Sequence, residues 1–387
     1  MNLDSQLTHL ENAQLVRRLL EDKELAFVFK HVLFQESAYQ SLLKHERPRL
    51  HLQVAYAIER LYPNRRQEFA ALLGQHFALA GERAQAVPYL RQAAQFQLTR
   101  YAYAEATQQL QVALALYKPE EASEEFVVLL EETADAYRLT RNGTRAIELY
   151  QQALAVWSRV DSAARLIKVR LHRKIVQAVV DFMFTVKLES EQGNSIARAS
   201  QVELLAELEL RKSAPPDPEI VQALGALSIF AYRIQSPPDW DAALSLAQNA
   251  VTMAEGLAAP LILSGALDAL ANIYDARNRL REHLEIASRR LALTQSGTGD
   301  DLREKIDALR GMGMAHMYVG EYQDALPLLR EAEHLAEDIQ AYELHTYATG
   351  LQAQCLFRLD RWDDVIELEK KWRTLEQRYS REQVGVT

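Results

Sequence analysis

The chain has 387 residues, 48% of them apolar and 25% charged, enough for two or three domains or for one extended repeat array. No long uncharged apolar run is present and the opening MNLDSQLTHLENAQLVRR lacks the basic start and apolar stretch of a secretory signal, so no membrane span is predicted and a cytoplasmic location is expected. The net charge of −9 argues against a general nucleic-acid binder, and the single cysteine, Cys355, excludes an internal disulfide and is expected as a buried structural thiol.

In chain order, 15–20 and 25–34 are predicted as two short extended runs around the turn Glu21-Asp22-Lys23-Glu24, with strand-forming Ala26-Phe27-Val28-Phe29 in the second. Helical periodicity resumes after Gln35. The run Lys44-His45-Glu46-Arg47-Pro48-Arg49, with Arg60, Arg65 and Arg66, is basic against an acidic background. It reads either as a solvated surface or as a contact for nucleotide, nucleic acid or an acidic neighbouring domain. Residues 66–80 and 84–100 then form a helical hairpin in which Gly74, Phe77, Ala86, Leu90 and Ala93 mark the helix contacts, since close helix approach requires small residues. Residues 103–117 repeat the second-helix pattern through Ala106, Leu110 and Ala113. No new first helix intervenes, so the helix over 84–100 is expected to pack on both sides.

Lys118 to Ser123 breaks the pattern, and Ser123 is placed to cap a helix starting at Glu124. Ala134, Tyr137, Ala146, Tyr150 and Ala153 repeat the spacing of the first hairpin. A long helix over about 162–188, a turn at Glu191-Gln192-Gly193 and a helix over 194–211 follow. The linker Lys212-Ser213-Ala214-Pro215-Pro216 leads to Asp217 and Pro218, a cap and first-turn pair, and Ser236-Pro237-Pro238-Asp239 interrupts the next hairpin. Ala271, Tyr274 and Ala287 fit the spacing, but His283 and Arg290 stand where other copies have alanine, which predicts a looser or rotated hairpin. Residues 295–301 read as a flexible connection, with Asp301 and Glu304 as a capping box. The clearest unit runs from Ile306 to Asp338, with Gly313, His316, Ala325, Leu329 and Ala332. Ala353, Leu356 and Val365 continue it, Glu369 and Trp372 then depart from it as a terminal cap, and the end past Arg378 is expected to fray.

These units resemble tetratricopeptide repeats (TPR), with a small residue then an aromatic in the first helix and Ala, large apolar, Ala in the second. Gly225 to Ala271 is 46 residues, Ala271 to Gly313 is 42 and Gly313 to Ala353 is 40, longer than the roughly 34 of the standard unit. Such long units are similar to the C-terminal sensor regions of bacterial STAND-type signal-transduction ATPases, including ATPase-linked nucleotide cyclases and transcriptional activators. The passage from Phe29-Lys30-His31 through Ala38-Tyr39 to Arg49-Leu50-His51 resembles the one that links a winged-helix-like module to the repeats in those proteins. The resemblance implies an all-α, right-handed TPR-like helical-hairpin solenoid with a small α/β, winged-helix-like remnant at the N-terminus. Its expected divisions are 1–62 for the remnant and connecting helices, 63–118 for a first TPR-like array and 119–387 for a second. Residues 1–34 would then be the tail of a module that begins outside this chain.

No glycine-rich loop ends in Lys-Ser or Lys-Thr, so no phosphate cradle is predicted, and Gly311, Gly313 and Gly320 fit repeat contacts instead. His334 with Asp338, and Asp239 with Asp241, have usable metal spacing but lie on charge-rich helices and read as solvated. No catalytic, cofactor or metal residue is expected. In TPR proteins the first helices line the concave groove, and the repeat alignment places Glu131, Asp135, Arg138, Asp268, Asn272, Asp275, Arg310, Met314, Met317, Tyr318, Gln354, Phe357 and Arg358 there. The resemblance therefore implies a non-catalytic regulatory sensor that binds a peptide, a partner protein or a small effector, with an N-terminal ATPase or effector domain as one such partner. The alternatives are a free-standing scaffold and an effector-dependent transcription regulator that contacts DNA through the N-terminal remnant.

Overall fold

The computed structural model describes residues 3–21, 24–160, 165–182, 190–211, 215–295, 301–339 and 341–384. They divide into two compact units, one of residues 1–98 with 108–118 and one of 99–107 with 119–387. The first unit opens with α1 (Leu3–Asn12), which the periodicity does not single out because only Leu3, Leu7 and Leu10 form its apolar stripe. Strands β1 (Val16–Glu21) and β2 (Glu24–Phe29) pair antiparallel from Val16↔Phe29 to Glu21↔Glu24, the only sheet among the described residues. The second extended run stops at Phe29 rather than Phe34, because the His31 side chain accepts the Leu33 N–H and starts α2 (Val32–Ser41) ahead of Gln35. The helices α3 (Arg47–Leu61), α4 (Ala70–Ala80) and α5 (Arg83–Thr99) complete the order up to α6 (Tyr103–Leu114).

The second unit is a stack of antiparallel helices: α7 (Glu124–Leu139), α8 (Gly143–Trp157), α9 (Arg165–Phe182), α10 (Ser190–Leu210), α11 (Pro218–Arg233), α12 (Trp240–Glu255), α13 (Pro260–Ala276), α14 (Leu280–Gln295), α15 (Leu302–Val319), α16 (Tyr322–Asp338), α17 (Tyr342–Arg358) and α18 (Trp362–Val384). The expected turn at Glu191-Gln192-Gly193 lies inside α10, where one glycine costs a helix only about 1 kcal/mol and does not end it. Parts of the predicted long helix over 162–188, of the linker at 212–214 and of the connection at 295–301 fall outside the described residues. Ser123, Asp217, Asp239 and Asp301 each accept backbone N–H groups at the starts of α7, α11, α12 and α15. Glu304 does not close the predicted capping box, because its carboxylate is engaged elsewhere, as described below.

Two contacts repeat along the chain. A Cβ built on Gly74 would stand 2.7 Å from the Leu90 side chain, and one on Gly313 would stand 2.7 Å from Leu329. In both hairpins the small residue and the leucine are sixteen positions apart, and the leucine fills the space that the missing side chain leaves. Ala134 and Tyr150, both fully buried, hold the same two positions in the α7–α8 hairpin. Seven residues past the small residue comes the turn, at Gly81, Arg141, Asn278, Gly320 and Asp360, and each adopts positive φ between 56° and 87°. Around each, the next N–H reaches back to the carbonyl of Phe77, Tyr137, Tyr274, His316 or Leu356 at 2.8–2.9 Å, closing the first helix in a Schellman-type turn. These five hairpins share the turn geometry even where arginine or aspartate occupies the left-handed position, whereas α11 ends at Ile234 with negative φ.

In the first unit α3 meets α4 through a ring chain. The Tyr39 hydroxyl lies 3.0 Å from His51 Nε2, and His51 Nδ1 lies 2.9 Å from His76 Nδ1. Burial lowers the pKa of both histidines below 6.5, and for His76 the neighbouring His51 adds to the effect. The pair therefore contributes stability that is present above pH 6.5 and is lost as pH falls toward the depressed folded values. Melting followed by circular dichroism should show a lower Tm on acidification across that window, and His76→Gln should reduce the dependence; an unchanged profile would mean that the pair is not titrating. For the repeat contact, Gly313→Ala should destabilise by about 1–3 kcal/mol through overpacking against Leu329. Gly265→Ala, with open space around its Cβ, should instead stabilise by roughly 0.5–1 kcal/mol. Urea titrations of the two variants check the sign of each.

Candidate recognition groove

The first helices carry polar residues toward one another at two places in the second unit. Between α7 and α9 the buried Glu131 carboxylate accepts from Arg170 Nε and Nη2 at 2.8 and 2.9 Å and lies 2.6 Å from Lys174 Nζ. Lys174 also reaches Asp135 at 2.5 Å, Asp135 accepts the Tyr150 hydroxyl at 2.5 Å, and Arg138 pairs with Asp181 at 2.5 Å. Burial opposes the Glu131 charge, but Lys174 and Arg170 more than offset it and lower the pKa; burial and Asp135 raise that of Tyr150. Glu131, Asp135 and Arg138 are thus engaged in holding α9 against α7.

The second place is built around Arg290, whose side chain is 6% exposed. Its guanidinium lies 2.5 Å from Asp268 on α13, and 2.8 and 2.7 Å from Glu304 and Asp307 on α15. Arg290 Nε also donates to Ser264 Oγ at 3.2 Å, and the Ser264 hydroxyl donates to Glu304. Arg310 reinforces the cluster by binding Asp307 at 2.7 and 2.9 Å. Burial works against the Arg290 charge, yet Asp268, Asp307 and Glu304 raise its pKa further. Burial raises Asp268, whereas Arg310 and Arg290 outweigh burial at Asp307 and lower it. In the α13–α14 hairpin, expected to be looser or rotated, the arginine in the alanine position ties α13, α14 and α15 together through charge.

Beside this cluster lies a ring of groups around Asp275. Its carboxylate is half-buried, no hydrogen bond reaches it among the described residues, and it feels the charges of His283 and Arg233. His283 is 3% exposed and its Nδ1 is buried with no hydrogen-bond partner, while its ring sits 5.9 Å from that of Tyr318. Burial raises the Asp275 and Tyr318 pKa values and lowers that of His283. Tyr232 and Arg233, joined by a 3.1 Å hydrogen bond, complete the ring from α11. Asn272, one turn from Asp275, donates to the Asp268 side chain at 3.0 Å.

Of the residues expected in the groove, Asp268, Asn272, Asp275, Arg310 and Tyr318 are brought together here, and Met314 adjoins them through a 3.6 Å contact from Arg310 to its sulfur. Met317 does not belong, because it packs into the core with Ala325, Leu326 and Leu329. Gln354, Phe357 and Arg358 are exposed on α17, Phe357 with its ring 4.7 Å from Trp362. His283, Arg290, Glu304, Asp307, Tyr232 and Arg233 were not among the expected groove residues. The signal for them was available, since a charge in a position reserved for alanine requires partners, and Glu304 and Asp307 stand three apart on the next first helix. Further along, burial works against the Glu333 charge, yet contacts from His345, Gln352 and Lys371 hold its pKa down at about 2.

His316, Glu321 and Asp324 bring possible ligand atoms within 4.8 Å of one another, but His316 Nδ1 is already hydrogen-bonded to Glu321 at 2.7 Å and the cluster is explained without an ion. Cys355 is fully buried, and burial pushes its thiol up to about 11, as suits a structural residue. In the basic run of the first unit, Arg47 donates to the Leu42 and Gln40 carbonyls and covers the Tyr39 ring, and Arg65 pairs with Glu68. No described helix is long and apolar enough to cross a membrane.

No protein-family model matches the sequence, and no curated protein does. Among solved structures, aspartyl phosphate phosphatase F from Bacillus subtilis is similar at 14% identity and a TM-score of 0.53, over 90% of this chain and 81% of that one. A Rap protein complexed with Competence and Sporulation Factor is similar at 10% identity and a TM-score of 0.52, over 87% and 99%. A STAND protein with a tetratricopeptide repeat sensor from Pyrococcus horikoshii is similar at 12% identity and a TM-score of 0.51; the match covers 97% of this chain and 53% of that protein, so this chain spans about half its length. At these identities the likeness is one of fold, and the fold is an all-α, TPR-like helical repeat.

Replacing Arg290 by alanine would restore the repeat pattern yet strand Asp268, Glu304 and Asp307 together. Arg290→Ala should therefore destabilise by about 3–5 kcal/mol, the usual result of removing one partner from a buried ion cluster. Urea denaturation is the measurement, and a neutral or stabilising result would mean that the cluster is solvated.

Proposed function

We propose that the chain is a non-catalytic regulatory module that binds an extended segment of a partner protein along the first-helix face of its second unit. The observation that carries this reading is the ring around Asp275, where a carboxylate and an imidazole nitrogen lie buried or half-buried without hydrogen-bond partners beside the exposed Tyr318. Buried polar groups are ordinarily paired, and a half-buried carboxylate with no protein donor next to an exposed aromatic leaves room for a bound chain to supply donors and an apolar contact. Elsewhere on the same face the polar residues are already paired, as at Glu131 and Asp135. The face also repeats a backbone-defined surface, which suits an extended ligand that touches several hairpins in turn.

The finer assignment is to the sensor region of a signal-transduction ATPase, with 1–62 as a winged-helix-like remnant, 63–118 as a first array and 119–387 as the array that carries the site. It is supported by the length of the repeats and by the TPR sensor named in the STAND protein of the same fold. The Rap protein of the same fold was captured with Competence and Sporulation Factor, which is consistent with a bound factor on such a scaffold. Panning a random dodecapeptide phage library on the purified chain tests the reading. Enriched peptides should protect amides of α13 and α15 from hydrogen exchange and should lose binding to the double variant Arg233→Ala, Tyr318→Ala. Enriched peptides that bind the double variant unchanged, or that protect other helices, would place recognition elsewhere.

A further inference from the structure

The charges around the ring are unequal. Asp268, Asp275, Glu304 and Asp307 supply carboxylates, and Arg233, Arg290 and Arg310 supply guanidiniums, which leaves one negative charge in excess. That excess is not spread evenly. Arg290 and Arg310 make their close contacts with Asp268, Glu304 and Asp307, two guanidiniums for three carboxylates, while Arg233, hydrogen-bonded to the neutral Tyr232 hydroxyl, keeps its charge and acts on Asp275. Asp275 is the carboxylate among them with no hydrogen bond; it is half-buried and electrostatically coupled to His283 and Tyr318, whose rings lie 5.9 Å apart. Burial lowers the His283 pKa, which works against an imidazolium there.

Resting on the groove reading above, we propose that this pocket receives a basic side chain, lysine or arginine, of the bound segment: its cationic head meets the Asp275 carboxylate and its stem lies along the Tyr318 ring. The chemistry fits each group. A half-buried carboxylate with no protein donor attracts a cation more strongly than one in open water, because its surroundings are less polarisable. An exposed tyrosine face attracts the same cation and packs its methylenes. An acidic side chain would instead add a second negative charge to a site that already holds one in excess, so the pocket also excludes the opposite class of residue.

The experiment uses acetylated, amidated hexapeptide libraries labelled with fluorescein, in which one position is fixed as Arg, Lys, citrulline or Glu and the rest are randomised, with anisotropy read on the full chain. The Arg and Lys libraries should bind about tenfold more tightly than the citrulline library, which keeps the shape and loses the charge, and the Glu library should bind least. Asp275→Asn should abolish the preference without lowering the melting temperature, since no hydrogen bond is lost at that carboxylate. Tyr318→Leu, a second variant at an exposed position, should weaken the Arg and Lys libraries more than the citrulline one. Binding of all libraries without charge preference, or a preference for Glu, overturns the basic-side-chain assignment while leaving groove binding intact. A preference that survives in Asp275→Asn overturns its placement at Asp275. No detectable binding of any library overturns the groove reading and this inference with it.

Discussion

The close approach of two helices at one small residue is the constraint on which the rest of the fold depends. Where Gly74 meets Leu90 and Gly313 meets Leu329, there is no room for even a methyl group without movement of the leucine. That contact fixes the distance between the helices, and interior packing is dense enough that the distance cannot drift. The left-handed turn seven residues later then fixes the direction of return in five hairpins, where the same pair of carbonyl acceptors closes the first helix. Distance and direction together determine where the next hairpin stacks. A left-handed arginine at 141 or aspartate at 360 carries a backbone penalty of about 1–2 kcal/mol, so the turn is imposed by the stack and not chosen by the residue.

The α13–α14 hairpin obeys the turn and breaks the contact. Asn278 takes the left-handed position, but the second helix presents His283 and Arg290 where alanines would sit. A buried guanidinium is tolerated only when its charge and its donors are satisfied, and three carboxylates from the neighbouring first helices do this. One of those carboxylates comes from Arg290's own hairpin and two from the next, so an ionic joint takes the place of an apolar one. The joint explains why charged residues line this part of the face while the α7–α9 joint, built from Glu131, Arg170 and Lys174, uses up its own charges.

Much of the repeat was legible in the sequence because small residues at fixed spacing report helix contacts directly. Gly74 with Leu90 and Gly313 with Leu329 could be paired from spacing alone, and the caps at Ser123 and Asp217 follow from residue type. The hidden parts share a cause. Helix α1 carries too short an apolar stripe to stand out, and the glycine at 193 signals a turn that helix packing overrides. For the site, periodicity could place Asp268, Asp275 and Tyr318 on one face but could not decide depth, and Met317, one residue from Tyr318, turns inward to the core. Partners across helices were beyond reach for the same reason. Arg290 lies in a second helix, and only the fold shows that a second-helix side chain reaches between two first helices to set the charge of their shared face.

A repeat array has little freedom to evolve chemistry at its contacts, since each small residue is held by packing and each turn by backbone geometry. Freedom lies on the exposed face and at the joints where packing has been replaced by charge. Of these, a fully paired joint is inert, because every ionic group already has its counterpart. The joint at Arg290 is paired within itself, yet it adjoins Asp275, whose carboxylate the repeat leaves half-buried and without a donor. His283, the second departure from alanine in the same helix, is buried, and burial lowers its pKa although Asp275 works the other way. The two substitutions thus differ: Arg290 makes a polar face stable between α13 and α15, and the buried His283 Nδ1 is left without a hydrogen-bond partner. The charged joint is confined to the described hairpin in which larger polar residues occupy both alanine positions, and the copies that keep the alanines close on an apolar contact instead.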